Sequence, residues 1–104
     1  FSLQLRFVDG SIGTIHYFAN GSKAFPKERL EVFTAGKIFC LDNYRKLKSW
    51  GLPGFRTRRL LQQDKGQVAC CSAFLKAIES GGPSPIPVLE IFEVQRWLLE
   101  AVNK

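Results

Sequence analysis

The chain has 104 residues, of which 45% are hydrophobic and 23% charged, with a formal net charge of +6. These values exclude an intrinsically disordered tract, and the length suits one domain spanning residues 1–104. No apolar run reaches the ~18 residues of a membrane span, and the opening residues do not read as a signal peptide.

Phe1, Leu3, Leu5 and Phe7 alternate with Ser2, Gln4 and Arg6, the period of a strand with one apolar side. Asp9-Gly10 supplies the residues of a two-residue hairpin turn. Val8 then pairs with Ser11, Phe7 with Ile12, Leu5 with Thr14, Leu3 with His16 and Phe1 with Phe18. A one-residue slip would exchange the faces of one strand relative to the other. Asn20-Gly21-Ser22 fits the glycosylation pattern, but a turn explains it better.

A second hairpin is expected from Glu28–Thr34 and Lys37–Asp42, reversing at Ala35-Gly36. In a two-residue register Leu30, Val32, Phe39 and Leu41 share a face and Arg29 sits opposite Asp42. Ala is a poor first residue for such a turn, so a bulge at Gly36 is an alternative that shifts the register by one. Tyr44–Trp50 reads as a short edge strand guarded by Lys46 and Lys48. Gly51-Leu52-Pro53-Gly54 is a turn, and Phe55–Leu61 is a further candidate strand.

After Gly66 the apolar period changes. Cys71, Phe74, Leu75 and Ile78 follow i, i+3, i+4, i+7, the stripe of an amphipathic helix. Gly81-Gly82 ends it, and Pro83-Ser84-Pro85-Ile86-Pro87 is a stiff extended connector. A second helix runs from about Val88 to Val102. Its polar stripe is Glu93, Arg96, Glu100 and Asn103, with Ile91, Val94, Leu98 and Val102 on the other side. Strands first and helices last predict an α+β fold: a mostly antiparallel sheet of hairpins with two C-terminal helices packed on one face. If the helices cover Leu3, Leu5, Phe7, Leu30, Val32, Phe39 and Leu41, the opposite face holds Val8, Ile15, Tyr17, Phe33, Ile38 and Cys40. That face is too apolar to stand free in water: either further strands and loops of the intact domain cover it, or it meets another subunit or domain.

Chemistry-bearing residues are sparse. His16, the only histidine, falls in mid-strand and reads as structural, because no nucleophile can be tied to it. The three cysteines, Cys40, Cys70 and Cys71, form neither a disulfide framework nor a zinc spacing and fit a reduced, cytoplasmic setting. No glycine-rich phosphate loop follows a strand, and Gly81-Gly82 ends a helix where a dinucleotide loop would begin one. The charge is uneven. Arg45, Lys46, Lys48, Arg56, Arg58, Arg59 and Lys65 lie between Asn43 and Lys65 with Asp64 as the only acid, while the rest of the chain is neutral. Tyr44, Trp50 and Phe55 interleave with these cations. The segment fits a solvated sheet edge with its three neighbouring arginines, Arg56, Arg58 and Arg59, exposed. The alternative functional reading is a small basic module that binds single-stranded nucleic acid.

Several stretches resemble Gfo/Idh/MocA-type NAD(P)-dependent oxidoreductases. Ser11-Ile12-Gly13-Thr14-Ile15, Tyr17 and Gly21-Ser22 look like that family's hairpin, and Pro26-Lys27-Glu28-Arg29-Leu30-Glu31-Val32-Phe33 looks like the strand after it. Leu41-Asp42-Asn43-Tyr44-Arg45-Lys46-Leu47 and Gln63-Asp64-Lys65-Gly66-Gln67 follow in the family's order, with Gln67 where the family has His. Pro85-Ile86-Pro87 and the last helix complete the series. The variant at Gln67 and the proline connector are most similar to a subset fused to a zinc-dependent alcohol-dehydrogenase-like module. The resemblance implies the second half of the C-terminal, substrate-side domain of an enzyme acting on a sugar, cyclitol or related polyol. Together with the start at Phe1 and the lack of Met, it gives the expectation of a piece of a longer polypeptide. NAD(P) would bind an upstream Rossmann domain of the same chain, and zinc would belong to a module further upstream. No catalytic, cofactor-binding or metal-binding residue of the family transfers to a position here. The partners implied are that Rossmann domain and further copies of the chain, joined through the open sheet face.

Overall fold

A computed structural model describes residues 1–103. The fold is α+β, with strands in the first part of the chain and helices in the last. Two units are distinguished: one joins Phe1–Gly21 to the stretch from Ser72 onward, and the other is Ser22–Cys71.

The first unit holds a hairpin of β1 (Ser2–Arg6) and β2 (Ile12–His16), which forms a two-stranded antiparallel sheet of its own. Its register differs by one residue from the expected one. Leu3 faces Ile15, Leu5 faces Gly13 and Ser2 faces His16. The cause lies in the turn. The Phe7 N–H donates to the Ser11 carbonyl and the Gly10 N–H to the Phe7 carbonyl. The loop therefore has three residues, a type I turn closed by Gly10 at φ 86°. Asp9 accepts from the Ser11 N–H through its carboxylate at 2.9 Å, and this bond holds its pKa below the ordinary aspartate value. The slip moves Ile15 and Tyr17 onto the side of Leu3 and Leu5, correcting their expected place on the opposite face. Phe1 stacks on Tyr17 there, with centroids 5.7 Å apart.

The second unit is a four-stranded antiparallel meander in the order β3-β4-β5-β6. Its strands are β3 (Arg29–Thr34), β4 (Lys37–Asp42), β5 (Lys46–Trp50) and β6 (Arg58–Arg59). The β3–β4 register is the two-residue one, with Leu30 opposite Leu41, Val32 opposite Phe39 and Arg29 opposite Asp42. Ala35 and Gly36 both take positive φ, 45° and 72°, as a type I′ turn requires. One face of this sheet carries Leu30, Val32, Phe39, Leu41 and Leu47, and Phe55 meets Phe39 edge-on at 6.4 Å. The other carries Arg29, Glu31, Phe33, Ile38, Cys40, Asp42, Lys46, Lys48, Trp50 and Arg59. Cys40 is the buried hydrophobic residue of the described chain. The expected strand over Phe55–Leu61 pairs only at Arg58–Arg59, so β5 is covered along Lys46 and Leu47 and is an edge beyond them.

Helix α1 (Gln67–Ser80) ends in a Schellman motif. The Gly82 N–H reaches the Ala77 carbonyl and the Gly81 N–H reaches the Ile78 carbonyl, with Gly81 at φ 61°. Helix α2 (Val88–Val102) follows the proline connector, with Pro87 at its N-terminal cap position. Neither helix has a buried residue. Phe74, Leu75 and Ile78 of α1 and Ile91, Val94, Leu98 and Val102 of α2 are all exposed. Among the described residues no helix is long and apolar enough to cross a membrane.

Candidate functional site

The strongest concentration of polar contacts lies at one end of the four-stranded sheet, where Asp42–Arg45 turns β4 into β5. Asn43 and Tyr44 both adopt positive φ, 51° and 50°, and the Arg45 N–H closes the turn on the Asp42 carbonyl at 3.0 Å. Asn tolerates this conformation better than most residues, whereas Tyr is strained in it. Three other stretches are tied to this turn. The Asn43 N–H donates to the Glu28 carbonyl at 2.6 Å. The Gln63 amide donates to the Asn43 side-chain oxygen at 2.8 Å and to its backbone carbonyl at 3.1 Å. The Asp64 N–H reaches the Tyr44 carbonyl at 3.2 Å, and Lys65 forms an ion pair with Glu28. Asp64 in turn accepts from the Gly66 N–H at 2.8 Å, setting the chain at the start of α1. Arg45 exchanges two bonds with Leu60: the Leu60 N–H donates to its carbonyl, and its guanidinium donates to the Leu60 carbonyl.

This knot joins residues far apart in sequence. Nothing in the periodicity brings Glu28 to Lys65. The only available signal was the turn-forming Asn43 and the helix-opening Asp64-Lys65-Gly66. What the arrangement can do chemically is limited: it fixes a loop on a sheet. It contains no nucleophile paired with a base.

A second concentration lies on the sheet face of Cys40. Lys46 stands opposite Arg59 on β6 and opposite Asp42 on β4, while Lys48 stands opposite Cys40. Lys48 also lies over the Trp50 ring, 5.9 Å from its centroid. Repulsion from Arg59, and then from Lys48, holds the Lys46 ammonium below its ordinary pKa. Arg29 is already satisfied by Glu31 at 2.6 Å, which raises its pKa. Arg56, Arg58 and Arg59 are exposed, with the last two on the edge strand, as the scarcity of acids predicts.

His16 does not join either place. It lies exposed on β2, shares a hydrogen bond between its Nδ1 and the Ser2 hydroxyl at 2.8 Å, and stacks on Phe18. The one-residue slip puts it with Ser2, on the polar side of β1, rather than on the expected apolar side. Cys70 and Cys71 are free and exposed, and Cys40 is free and buried. Among the described residues no group of His, Cys, Asp and Glu could hold a metal ion. Gly81-Gly82 binds the carbonyls that end α1, and α2 opens on Pro87, which has no N–H to offer a phosphate.

No family model, curated protein or solved structure matches the chain.

Proposed function

We propose that the chain is the substrate-side, non-catalytic part of an NAD(P)-dependent oxidoreductase acting on a sugar, cyclitol or related polyol. The observation that supports this reading best is the knot at the Asp42–Arg45 turn. The stretches that carry the Gfo/Idh/MocA resemblance around Glu28, Asn43 and Gln63–Gly66 meet there in one hydrogen-bonded network. Three motifs spaced along a sequence have no need to touch unless the fold uses them together. Hydride transfer, the NAD(P) site and any zinc belong in this reading to other parts of a longer cytoplasmic polypeptide. This chain supplies a sheet wall and an association surface. Phe33, at 70% exposure, is a residue such a surface would cover, by a Rossmann domain or a second copy.

The test is an activity measurement on the polypeptide encoded by the complete reading frame. NAD(P)+ reduction is expected with at least one member of a panel of sugars, cyclitols and polyols, and none with the 104-residue chain alone. A complete polypeptide without any nucleotide-dependent redox activity across that panel would refute the reading.

A further inference from the structure

We propose that the depression beside Trp50 on the four-stranded sheet binds an anionic sugar, one that carries a carboxylate or a phosphate. The inference rests on the oxidoreductase reading above and narrows its substrate class.

The depression is lined by Arg29, Cys40, Asp42, Lys46, Lys48 and Trp50 and lies wholly within the second unit. Its groups divide by chemistry. Lys46 and Lys48 of the depression, and Arg59 opposite Lys46 on the neighbouring β6, form no ion pair with a carboxylate among the described residues; the ion pairs there are Lys65 with Glu28 and Arg29 with Glu31. Three unpaired cations on adjacent strands repel one another, and an anion among them removes that repulsion while accepting charge-assisted hydrogen bonds. Trp50 is half-exposed at the end of β5 with the Lys48 ammonium over its ring, and the part of the indole left open suits the flat C–H face of a pyranose ring. Asp42, opposite both Arg29 and Lys46, is an acceptor for sugar hydroxyls.

Asp42 also decides between ligand classes. A single anionic group can sit between Lys46 and Lys48 and leave Asp42 to the hydroxyls. A nucleic-acid strand lays successive phosphates along the same face, and one of them would approach Asp42 and Glu31. The mixed charge of the depression therefore favours one anion on a hydroxylated ring over a polyanion.

NMR titration of the 104-residue chain with glucuronate, glucose 6-phosphate and glucose tests this. Saturable shifts of the Trp50 indole N–H and of the β5 amides are expected with at least one of the two anionic sugars, and with glucose only at much higher concentration. Comparing glucuronate with glucose 6-phosphate tells carboxylate from phosphate. Lys46→Gln and Lys48→Gln should each weaken binding roughly tenfold, the loss of one charge-assisted contact. Lys23→Gln, outside the depression, should not weaken it. Absence of saturable shifts with both anionic sugars overturns the proposal, as does equal binding of glucose. Shifts of the same residues by an oligothymidylate at lower concentration than by either sugar overturn it in favour of a nucleic-acid ligand. The two readings fail separately: a complete polypeptide that reduces NAD(P)+ with a neutral polyol, while this chain binds neither anionic sugar, sinks only the inference.

Discussion

The two hairpins of this chain have similar sequence patterns and different turns. Both place a small or polar residue before glycine between alternating strands. At Ala35-Gly36 the turn has two residues, both at positive φ. At Asp9-Gly10 only the glycine is at positive φ, and Val8 is taken into the loop. Asp9 remains in ordinary backbone space and gains the Ser11 N–H for its carboxylate. Ala35 has no side-chain acceptor to bring about such a loop. Partners on the strands push the same way. The three-residue loop sets Phe1 on Tyr17 and Ser2 on His16, whereas a two-residue loop would set His16 among leucines. A turn dipeptide thus selects a family of loops, and the capping capacity of its first residue selects within it.

This comparison can be broken at its glycines. Gly51→Ala carries the largest expected effect. Gly51 sits at φ 73°, and an added Cβ would meet the Gly36 carbonyl of the β3–β4 turn. A loss of about 3 kcal/mol is expected in urea unfolding followed by circular dichroism, combining a left-handed alanine with a backbone clash. Gly10→Ala adds a Cβ into open space at φ 86°, so only the conformational cost of about 1 kcal/mol remains. Equal losses at the two positions would show that the Gly36–Gly51 contact does not shape the second unit.

Smaller changes sharpen the account. Glu28→Gln removes the ion pair to Lys65 while leaving the backbone bond from Asn43 to Glu28. Both side chains are about a third exposed, so solvent screening limits the expected loss to about 0.5 kcal/mol. Deleting Val8 should cost less still, within about 0.5 kcal/mol. Val8 is fully exposed, and its removal leaves Phe7 and Ser11 joined by a two-residue Asp-Gly turn in the same register. Cross-strand NOEs between Leu3 and Ile15 should survive the deletion. Their replacement by contacts between Leu3 and Thr14, the register of a three-residue loop over Phe7, Asp9 and Gly10, would mean that the turn, and not the strand faces, sets the register. The smallest effect is one of pH. The Asp9 carboxyl is held below its ordinary pKa by the Ser11 N–H. Its contribution is therefore fully present above the ordinary aspartate value and lost as pH falls through the lowered one. The Ser11 amide shift should titrate at that lowered value, and an Asp9→Asn chain should show no such titration.

Much of the architecture was legible because it rests on local chemistry. The end of α1 follows from Gly81-Gly82 and the start of α2 from the proline connector, and the β3–β4 register is one of the two that Ala35-Gly36 allowed. The first register was not legible. Ile12 and Phe18 make one face of β2 apolar at its ends, while Ile15 and Tyr17 make the other so, and the pattern does not choose between them. The short β6 escaped because Phe55–Leu61 alternates well enough for a strand. Yet Phe55 is held in a turn by the Leu52 carbonyl, and the pairing with β5 runs from Arg58 only as far as the Leu60 N–H on the Arg45 carbonyl. The knot around Asn43 escaped because polar side chains carry no period. The cation excess between Asn43 and Lys65 was visible as composition. Its division between the two sheet faces, with Lys46, Lys48 and Arg59 on one and Arg58 on the other, needed the strand pairing.

The central functional claim is that this chain is a wall and an association surface for chemistry performed elsewhere in a longer polypeptide. Calorimetric titration with NADH and NADPH tests it directly, applied in parallel to the 104-residue chain and to the product of the complete reading frame. The account predicts no binding to the chain and micromolar binding of one of the two cofactors to the complete product. Micromolar binding to the chain itself would contradict it.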